Sequence, residues 1–265
     1  MNNFNPRGND KTRQNIIIVL IVVFGLLLAQ NQRMTLRDPE NTYPKQIKRA
    51  IRLWLNPPAN KLEEHLIGKG IACDHSDHLY KLVAAATVVI RTDNAIGAGV
   101  FIGPRLIATA EHVVEGRSVR VILPMVHEDT LAEPGNSIEV EAVHRVKGLD
   151  LAFITTSAPY ASWMELETSY EGDPDLMVVG HPKGKYYSLQ KARIKKKDMI
   201  ASSDYVVFKD NEVFFGNSGG AIVGCDGRLV GVVSMMSNYE NTRLKQGIGI
   251  NARTIANFAK NAGLS

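Results

Sequence analysis

The sequence has little cysteine and no second pair of metal-binding residues. Only Cys73 and Cys225 occur in 265 residues. The segment CDHSDH (73–78) could present Cys73, His75 and His78 to a metal ion, but a structural zinc site needs a fourth ligand. No second Cys/His pair has suitable spacing, so we expect no metal. An exported chain could pair its two cysteines, although Cys225 occupies a predicted hairpin tip and Cys73 lies outside the strand-rich region. The sequence leaves that pairing open.

The chain also lacks an excess of positive charge outside its N-terminal end. Residues 1–60 contain nine Lys/Arg and three acidic residues, a net charge of +6, whereas the whole chain has a net charge of +4. The remaining 205 residues contain 22 basic and 24 acidic side chains, which is no nucleic-acid footprint. We therefore expect no nucleic-acid partner. No internal repeat of about 20–50 residues is visible, which argues against a solenoid or propeller.

The basic end precedes one long apolar run. Residues 16–29 are fourteen residues without a polar side chain, and Arg7, Lys11 and Arg13 come before them, as in an export signal. Ala29 suits a cleavage site but Leu27 does not, so an uncleaved anchor, a cleaved signal and a buried helix all stay open. Such a helix would span only ~21 Å of a ~30 Å hydrocarbon core. We interpret residues 1–30 as a cytoplasmic tail with a membrane anchor or signal, and expect the rest of the chain outside the cytoplasm.

Residues 31–80 form a basic linker with one predicted helix. In YPKQIKRAIRLWLNPP, apolar side chains such as Ile47, Ile51 and Trp54 recur at helical spacing, and Pro57-Pro58 ends the pattern. This amphipathic helix could pack on the following domain or lie on an anionic membrane surface.

Short β-branched runs dominate the chain from about Leu82. Examples are ATVVIR, GVFIG, LIAT, SVRVIL, LAFIT, LMVVG, AIVG and LVGVVS, separated by Gly, Pro and Asp. Many short strands at this spacing predict an all-β sandwich or barrel. The segment NARTIANFAKNAG instead predicts a closing helix, with Ile255, Phe258 and Ala259 at helical spacing and Gly263 as its end.

The stretch GNSGG (216–220) contains the pattern G-x-S-x-G, which occurs both at the nucleophile of α/β-hydrolases and around the serine of β-barrel proteases. An α/β-hydrolase places its histidine after the serine. All seven histidines precede Ser218 here: His65, His75, His78, His112, His127, His144 and His181. The α/β-hydrolase interpretation therefore has no general base, and the strand pattern lacks βαβ alternation.

His112 is the strongest candidate for the base. In ATAEHVV it follows a predicted strand, residues 107–109, in a turn that could aim a side chain into a cleft. His144 alternates with valines as an outward strand position. His127 and His181 are in loops and are interpreted as surface histidines, with His181 a lesser candidate at a cleft edge.

Asp150 is the candidate for orienting that base. In GLDLAFI it interrupts an otherwise apolar strand, where an unpaired carboxylate would be costly to desolvate. A cationic or hydrogen-bonding partner is therefore implied, which is what an aspartate that fixes a histidine tautomer requires. The alternative is an aspartate at a strand end that caps a turn after Gly148.

The motifs GAGVFIGPRLIATAEHVV (97–114), GLDLAFI (148–154), VVGHPKG (178–184) and GNSGGAIVGCDGRLVGVVS (216–234), in this order, resemble the chymotrypsin-fold serine proteases, specifically the HtrA/Deg-like bacterial branch. The resemblance covers roughly residues 82–260 and makes residues 81–265 a trypsin-like serine protease domain. It implies two six-stranded β-barrels with the active site between them. His112 and Asp150 would come from the first barrel and Ser218 from the second, with the N–H groups of Gly216 and Ser218 forming the oxyanion hole.

The chain departs from that family in three respects. HtrA proteins typically continue into PDZ domains, whereas this chain ends in a helix, so we expect no PDZ-based peptide sensing. The digestive branch has an Asp before the serine that pairs with a freed N-terminus, and Asn217 is found here instead. About 80 residues precede the predicted barrels. We therefore expect no activation by a newly cut N-terminus.

The resemblance also gives a substrate pocket and a function. The predicted pocket residues are Glu212, Val213, Phe214, Phe215, Ser234, Met235 and Met236. An apolar pocket would favour cleavage after small or medium aliphatic residues, whereas Glu212 at its floor would favour Lys or Arg. We expect a serine endopeptidase that acts on protein or peptide substrates without a cofactor. The alternative is an inactive protease-fold protein that serves as a binding or scaffold module.

Overall fold

Two curled antiparallel sheets form most of the chain that the structure describes. The computed structural model describes residues 62, 73, 76–170, 175–194, 204–209, 216–238 and 245–264. These all belong to the unit Ala59–Ser265. The apolar run 16–29, the predicted amphipathic helix and the pocket positions 212–215 lie outside the described residues. Among the helices that are described, none is long and apolar enough to cross a membrane.

The described elements are thirteen strands and two α-helices, in addition to two short 3-10 helices. They are α1 (Ser76–Ala86), β1 (Thr87–Arg91), β2 (Ile96–Gly103), β3 (Leu106–Thr109), β4 (Arg120–Met125), β5 (Glu133–Ile138), β6 (Val140–Arg145), β7 (Ala152–Thr156), β8 (Asp175–Gly180), β9 (Ser188–Ile194), β10 (Tyr205–Lys209), β11 (Ala221–Val223), β12 (Leu229–Asn238), β13 (Lys245–Asn251) and α2 (Ala252–Asn261).

The first sheet has the strand order β5-β4-β1-β2-β3-β7-β6. Its two end strands, β5 and β6, are separated in sequence by Glu139 alone. The chain therefore turns a corner at Glu139 and connects the two ends of the sheet. Counted as one bent strand, β5 and β6 give the six strands expected for this half. The second sheet is a closed barrel with the order β10-β13-β12-β11-β8-β9. The two-sheet fold expected from the sequence is thereby confirmed.

Alternate residues of single strands pack into different hydrophobic clusters. Val88 and Ile90 of β1 belong to a cluster built only from the first sheet and its turns. Val89 belongs to a cluster that contains residues of both sheets and both helices. Because both faces of such a strand are buried, its sequence is an unbroken apolar run and does not alternate with polar residues.

Helix α1 was not predicted from the sequence. Its residues Leu79, Tyr80 and Val83 are buried in the cluster shared by the two sheets. Cys73, just before it, forms a disulfide with Cys225 in the β11–β12 turn, which decides the pairing that the sequence left open.

Helix α2 confirms the predicted closing helix. The Asn251 side chain accepts a hydrogen bond from Thr254 N–H at 2.8 Å and caps the N-terminus. Ile255 and Ala259 are buried as the periodicity predicts, but Phe258 is 37% exposed.

Candidate active site

His112 lies in the 3-10 helix Glu111–Val114, which follows β3 after Ala110. Val113 and Val114 are buried in the first sheet's cluster, while 45% of the His112 side chain is exposed. The two valines therefore fix the turn and leave the imidazole accessible. Arg145 of β6 holds the same turn from outside, because its guanidinium donates to Val114 O at 2.7 Å and pairs with Glu111 at 3.4 Å. Sequence analysis did not identify this role of Arg145.

Asp150 faces His112 from the loop between β6 and β7. The sequence placed it within an apolar strand, but it lies in the turn just before β7 begins at Ala152. Its side chain is 17% exposed. Both carboxylate oxygens lie 3.0 Å from His112 Nδ1, and the backbone N–H of His112 donates to Oδ1 at 3.1 Å. The structure thus brings the predicted base and its predicted orienting carboxylate together.

Ser234 is the third donor to this carboxylate. Its hydroxyl donates to Asp150 Oδ2 at 2.5 Å, and its side chain is completely buried. The β12–β13 pairing shifts register between Val233 and Met235, so Ser234 is the extra residue of a bulge, a feature that re-aims a side chain. The sequence assigned Ser234 to the substrate pocket, and the structure instead directs its hydroxyl to Asp150. The side chains of Met235 and Met236 lie outside the described residues.

These contacts set the pKa directions of the pair. Hydrogen bonding to Asp150 raises the pKa of His112 despite the opposing effect of burial, and the charges of Asp150, Glu115 and Glu111 raise it further. Burial alone would raise the pKa of Asp150, but hydrogen bonds from the His112 ring, Ser234 and the His112 backbone outweigh it and lower that pKa. Asp150 is therefore ionised, and it lies beside a histidine that gains a proton easily.

Ser218 approaches the first sheet through its backbone. Its carbonyl accepts a hydrogen bond from Ala98 N–H of β2 at 2.8 Å. Gly97 lies at the same junction, because a Cβ added there would lie 3.1 Å from Ser218 O and 2.6 Å from both methyl groups of Val113. The loop with Ser218, β2 and the turn with His112 therefore meet at a glycine that no larger residue could replace without displacing one of them. Among the described residues, no hydrogen bond joins the Ser218 hydroxyl to His112.

The residues before Ser218 are held by the second barrel. Gly216 has φ +99°, and a Cβ added there would lie 2.2 Å from His181 O, so only glycine fits. Its carbonyl accepts from His181 N–H at 3.1 Å. Asn217 is buried and donates through Nδ2 to Gln190 Oε1 of β9 at 3.0 Å. Its Oδ1 is buried without a partner. The position that differs from the digestive branch is thus held by a neutral amide pair.

Among the other histidines, His181 contradicts its predicted surface position. It is fully buried, with Nε2 donating to Val88 O at 3.1 Å and Nδ1 accepting from Tyr187 N–H at 3.0 Å. Burial lowers the pKa of His181 to about 4. His144 is exposed on β6, as predicted, and His127 lies 3.8 Å from Glu133 at the surface.

Within the residues that the structure describes, no group of His, Cys, Asp and Glu has the arrangement of a metal site. Cys73 is held in its disulfide, so it is not available as the thiolate ligand considered for CDHSDH.

Comparison with known proteins agrees with this architecture. A protein-family model described as a trypsin-like peptidase domain matches residues 97–232. The fold is similar to that of the protease Rv3671c from Mycobacterium tuberculosis in its inactive form, with 20% identity and a TM-score of 0.57 over 74% of this chain and 96% of that one. A serine endoprotease from Yersinia pestis matches with 18% identity and a TM-score of 0.56, over 73% of this chain and 68% of that one.

The structural similarity extends to an animal protein. Neuropsin from mouse brain, a serine protease, matches with 15% identity and a TM-score of 0.54 over 69% of this chain and 96% of that one. No match was found among curated proteins. At these identities the solved structures show a shared fold, and the family model shows the family.

Proposed function

Because this chain belongs to the trypsin-like peptidase domain family, we propose that it is a serine endopeptidase that hydrolyses peptide bonds through an acyl-enzyme intermediate. The observation that carries the proposal is the contact between His112 Nδ1 and both Asp150 oxygens at 3.0 Å. A carboxylate on Nδ1 keeps the proton there and leaves the Nε2 lone pair free to act as a base.

In the proposed mechanism, His112 Nε2 takes the proton of the Ser218 hydroxyl as Oγ attacks the scissile carbonyl carbon. Asp150 stays ionised and stabilises the imidazolium that forms. The same Nε2 proton then goes to the leaving amine as the C–N bond breaks, which gives the acyl-enzyme. A water molecule, deprotonated by His112, hydrolyses the ester and restores Ser218. No step needs a cofactor.

The backbone N–H groups of Gly216 and Ser218 are proposed to stabilise the oxyanion of each tetrahedral intermediate. Position 216 requires glycine, because its φ is +99° and a Cβ there would collide with His181 O. This constraint on the backbone supports a special role for the N–H groups of this loop. Removal of one such donor typically costs about 10²–10³ in kcat.

A fluorophosphonate probe tests the assignment on the full-length protein. We expect an adduct on the peptide that contains Ser218 and loss of labelling and proteolysis in both Ser218→Ala and His112→Ala. Because the members of such a group act as a unit, the double variant should be about as inactive as either single variant. Ser137→Ala, which changes an exposed serine of β5, is the matched control. A folded wild type that is never labelled and cleaves no protein would support the scaffold alternative instead.

We also propose that the protease acts outside the cytoplasm, on exported or misfolded proteins, and that residues 16–29 attach it to the membrane or export it. The apolar run behind a basic N-terminal end supports this, and so does the Cys73–Cys225 disulfide, because disulfides persist in oxidising compartments. Cell fractionation with protease digestion of intact cells tests it. A domain that is recovered reduced and soluble inside the cytoplasm contradicts the proposed location.

For specificity, we propose cleavage after small or medium aliphatic residues. The proposal rests on the apolar character of Val213, Met235 and Met236 in the sequence. Profiling of a peptide library tests it. Dominant cleavage after Lys or Arg that disappears in Glu212→Ala would instead identify Glu212 as the base of the pocket.

A further inference from the structure

His181 connects the two sheets beside the candidate oxyanion loop. It follows β8 of the second barrel, yet its ring donates from Nε2 to the carbonyl of Val88 on β1 of the first sheet at 3.1 Å. Its Nδ1 lies 3.0 Å from Tyr187 N–H, a group that can only donate. The ring proton is therefore on Nε2, and both nitrogens are satisfied in a fully buried side chain.

The backbone of the same residue holds Gly216. His181 N–H donates to Gly216 O at 3.1 Å, and His181 O accepts from Gly184 N–H at 3.1 Å. The carbonyl of His181 is also the group that a Cβ at position 216 would meet at 2.2 Å. A shift of the His181 peptide therefore moves or releases Gly216.

The loop that carries His181 is anchored through Tyr187. Tyr187 is fully buried, its ring contacts the His181 ring edge-on with centroids 4.8 Å apart, and its carbonyl accepts from Tyr80 OH at 2.9 Å. Among the described residues, the titratable groups in contact with the His181 ring are Tyr186 and Tyr187 from its own loop, and β1 contributes the Val88 carbonyl. With a pKa lowered by burial to about 4, the ring stays neutral wherever His112 can act as a base.

We propose that His181 is a positioning residue, which holds Gly216 in register with the first sheet through the hydrogen bond from Nε2 to Val88. This inference rests on the proposed function. Among the described residues, the loop with Ser218 is then linked to the first sheet by two hydrogen-bonded routes, one from Ser218 O to Ala98 N–H at 2.8 Å and one from Gly216 through His181 to Val88. Two links to the first sheet fix the orientation of the two proposed oxyanion donors relative to that sheet, whereas one link would let them rotate relative to it.

Two substitutions separate the two ring nitrogens. The side-chain amide of Asn reaches about as far as Nδ1, and that of Gln about as far as Nε2. His181→Asn can keep the acceptor for Tyr187 but loses the bond to Val88, and His181→Gln can keep the donor to Val88. His144→Gln, which removes an exposed histidine, is the matched control. Steady-state kinetics are measured per active site titrated with the fluorophosphonate, so that unfolded molecules do not count.

We expect His181→Asn to lower kcat about 100-fold with little change in KM, since a misplacement of about 1 Å can cost this much. His181→Gln should recover most of the wild-type kcat. A His181→Asn enzyme with wild-type kcat, or a loss that Gln does not recover, would overturn the proposal. Failure of the proposed function is a different result, because the wild type itself would then show no labelling at Ser218.

A measurement on the wild type covers the case in which His181→Asn does not fold. In NMR spectra of isotope-labelled histidines, we expect His181 as the Nε2–H tautomer, with an Nε2 proton resonance that shifts when a peptide boronate occupies the active site. A resonance that the boronate leaves unchanged would mean that the ring is not coupled to the oxyanion loop.

Discussion

Three hydrogen bonds converge on the carboxylate of Asp150: from the His112 ring, from the His112 backbone and from the Ser234 hydroxyl. Each of these donors favours the ionised form, and together they overcome the burial that opposes it. The ring contact fixes a proton on His112 Nδ1, so the direction in which the imidazole can accept a proton is set before substrate arrives. The proposed chemistry of the site therefore depends on the charge of one side chain that is 17% exposed.

Replacing that charge gives the first prediction. Asp150→Asn keeps the size of the side chain, but an amide can donate to Nδ1 and favour the wrong tautomer. We expect a folded enzyme with turnover reduced on the order of 10⁴-fold. Thermal unfolding checks the fold, and hydrolysis of a peptide substrate checks the rate. Asp129→Asn, in an exposed loop, is the control. A normal rate in Asp150→Asn would move the orienting role to another residue.

The raised pKa of His112 predicts how the activity declines at acidic pH. The base must be neutral, and contact with Asp150 raises the pKa of His112 above 6.5. A plot of kcat/KM against pH, which reports on the free enzyme, should therefore fall below a midpoint that lies above 6.5. In Asp150→Asn the midpoint of the residual activity should move to lower pH. A wild-type midpoint below 6.5 would contradict the contact.

The pKa of His181 is shifted in the opposite direction to that of His112, and it predicts a loss of stability in acid. Its pKa in the folded protein is lowered to about 4 from the ordinary 6.5, so between these values the unfolded chain binds the extra proton. This contribution to stability is complete above 6.5 and declines as the pH falls. Between pH 7 and 5 it should cost about 2 kcal/mol of unfolding free energy. In denaturant unfolding, the wild type should lose this stability between pH 7 and 5, whereas His181→Gln should lose about 2 kcal/mol less. His144→Gln, the control, should behave like the wild type.

Among the elements, the bulge in β12 shows how a strand can serve a site. Val233 and Met235 flank a register shift, and Ser234 between them is turned toward Asp150. Ser234→Ala should remove one donor to the carboxylate without disturbing the ladder. A hydrogen bond to a charged group is worth about 1.5–3 kcal/mol, so kcat/KM should fall at least about tenfold with the fold retained. Ser157→Ala serves as the control. An unchanged rate would assign Ser234 to packing alone.

The elements that sequence predicts well are those with a local signal. The strands β1, β3 and β8 are apolar runs that neighbouring Gly, Pro or Asp delimit, and His112 was found because it directly follows one of them. The sequence also indicated that Asp150 needs a partner, since a carboxylate beside an apolar run is costly to leave unpaired, and the structure places His112 and Ser234 against it. By contrast, β5 contains Pro134 and Gly135 and forms only because β4 pairs with it.

Features that depend on distant contacts were missed for physical reasons. His181 stands beside Pro182 and resembles a surface histidine until Val88, on a strand about 90 positions away, supplies an acceptor. The bulge at Ser234 depends on the register of β13, which no local pattern encodes. Helix α1 was hidden because its apolar residues run directly into those of β1.

On the scale of the whole molecule, the candidate site exists only where the two sheets meet. The first contributes His112 and Asp150, and the second contributes the loop with Ser218. The contacts that join them include Ala98 to Ser218, Val88 to His181 and Ser234 to Asp150. A change in how the sheets meet would therefore alter the proposed base, the proposed nucleophile and the proposed oxyanion donors together.

The disulfide adds a covalent link across this architecture. Cys73 precedes α1 and Cys225 lies in a turn of the second barrel, 152 residues apart in sequence. Helix α1 packs on the same turn, because a Cβ at Gly227 would lie 3.4 Å from a Leu79 methyl group. The bond closes a loop that contains the whole first sheet, so it restricts the unfolded chain strongly.

Breaking the disulfide should therefore lower the free energy of unfolding by about 2–5 kcal/mol. Activity per titrated active site should stay near the wild-type value, because Cys73 precedes α1 and Cys225 lies in the β11–β12 turn, away from the segments that carry His112, Asp150 and Ser218. Denaturant unfolding with and without a reductant measures the change. The Cys73→Ala/Cys225→Ala double variant is the control, since it should match the reduced wild type and not respond to reductant. Identical unfolding midpoints for the oxidised and reduced wild type would contradict the prediction and leave the packing of α1 as the link that holds this end of the chain.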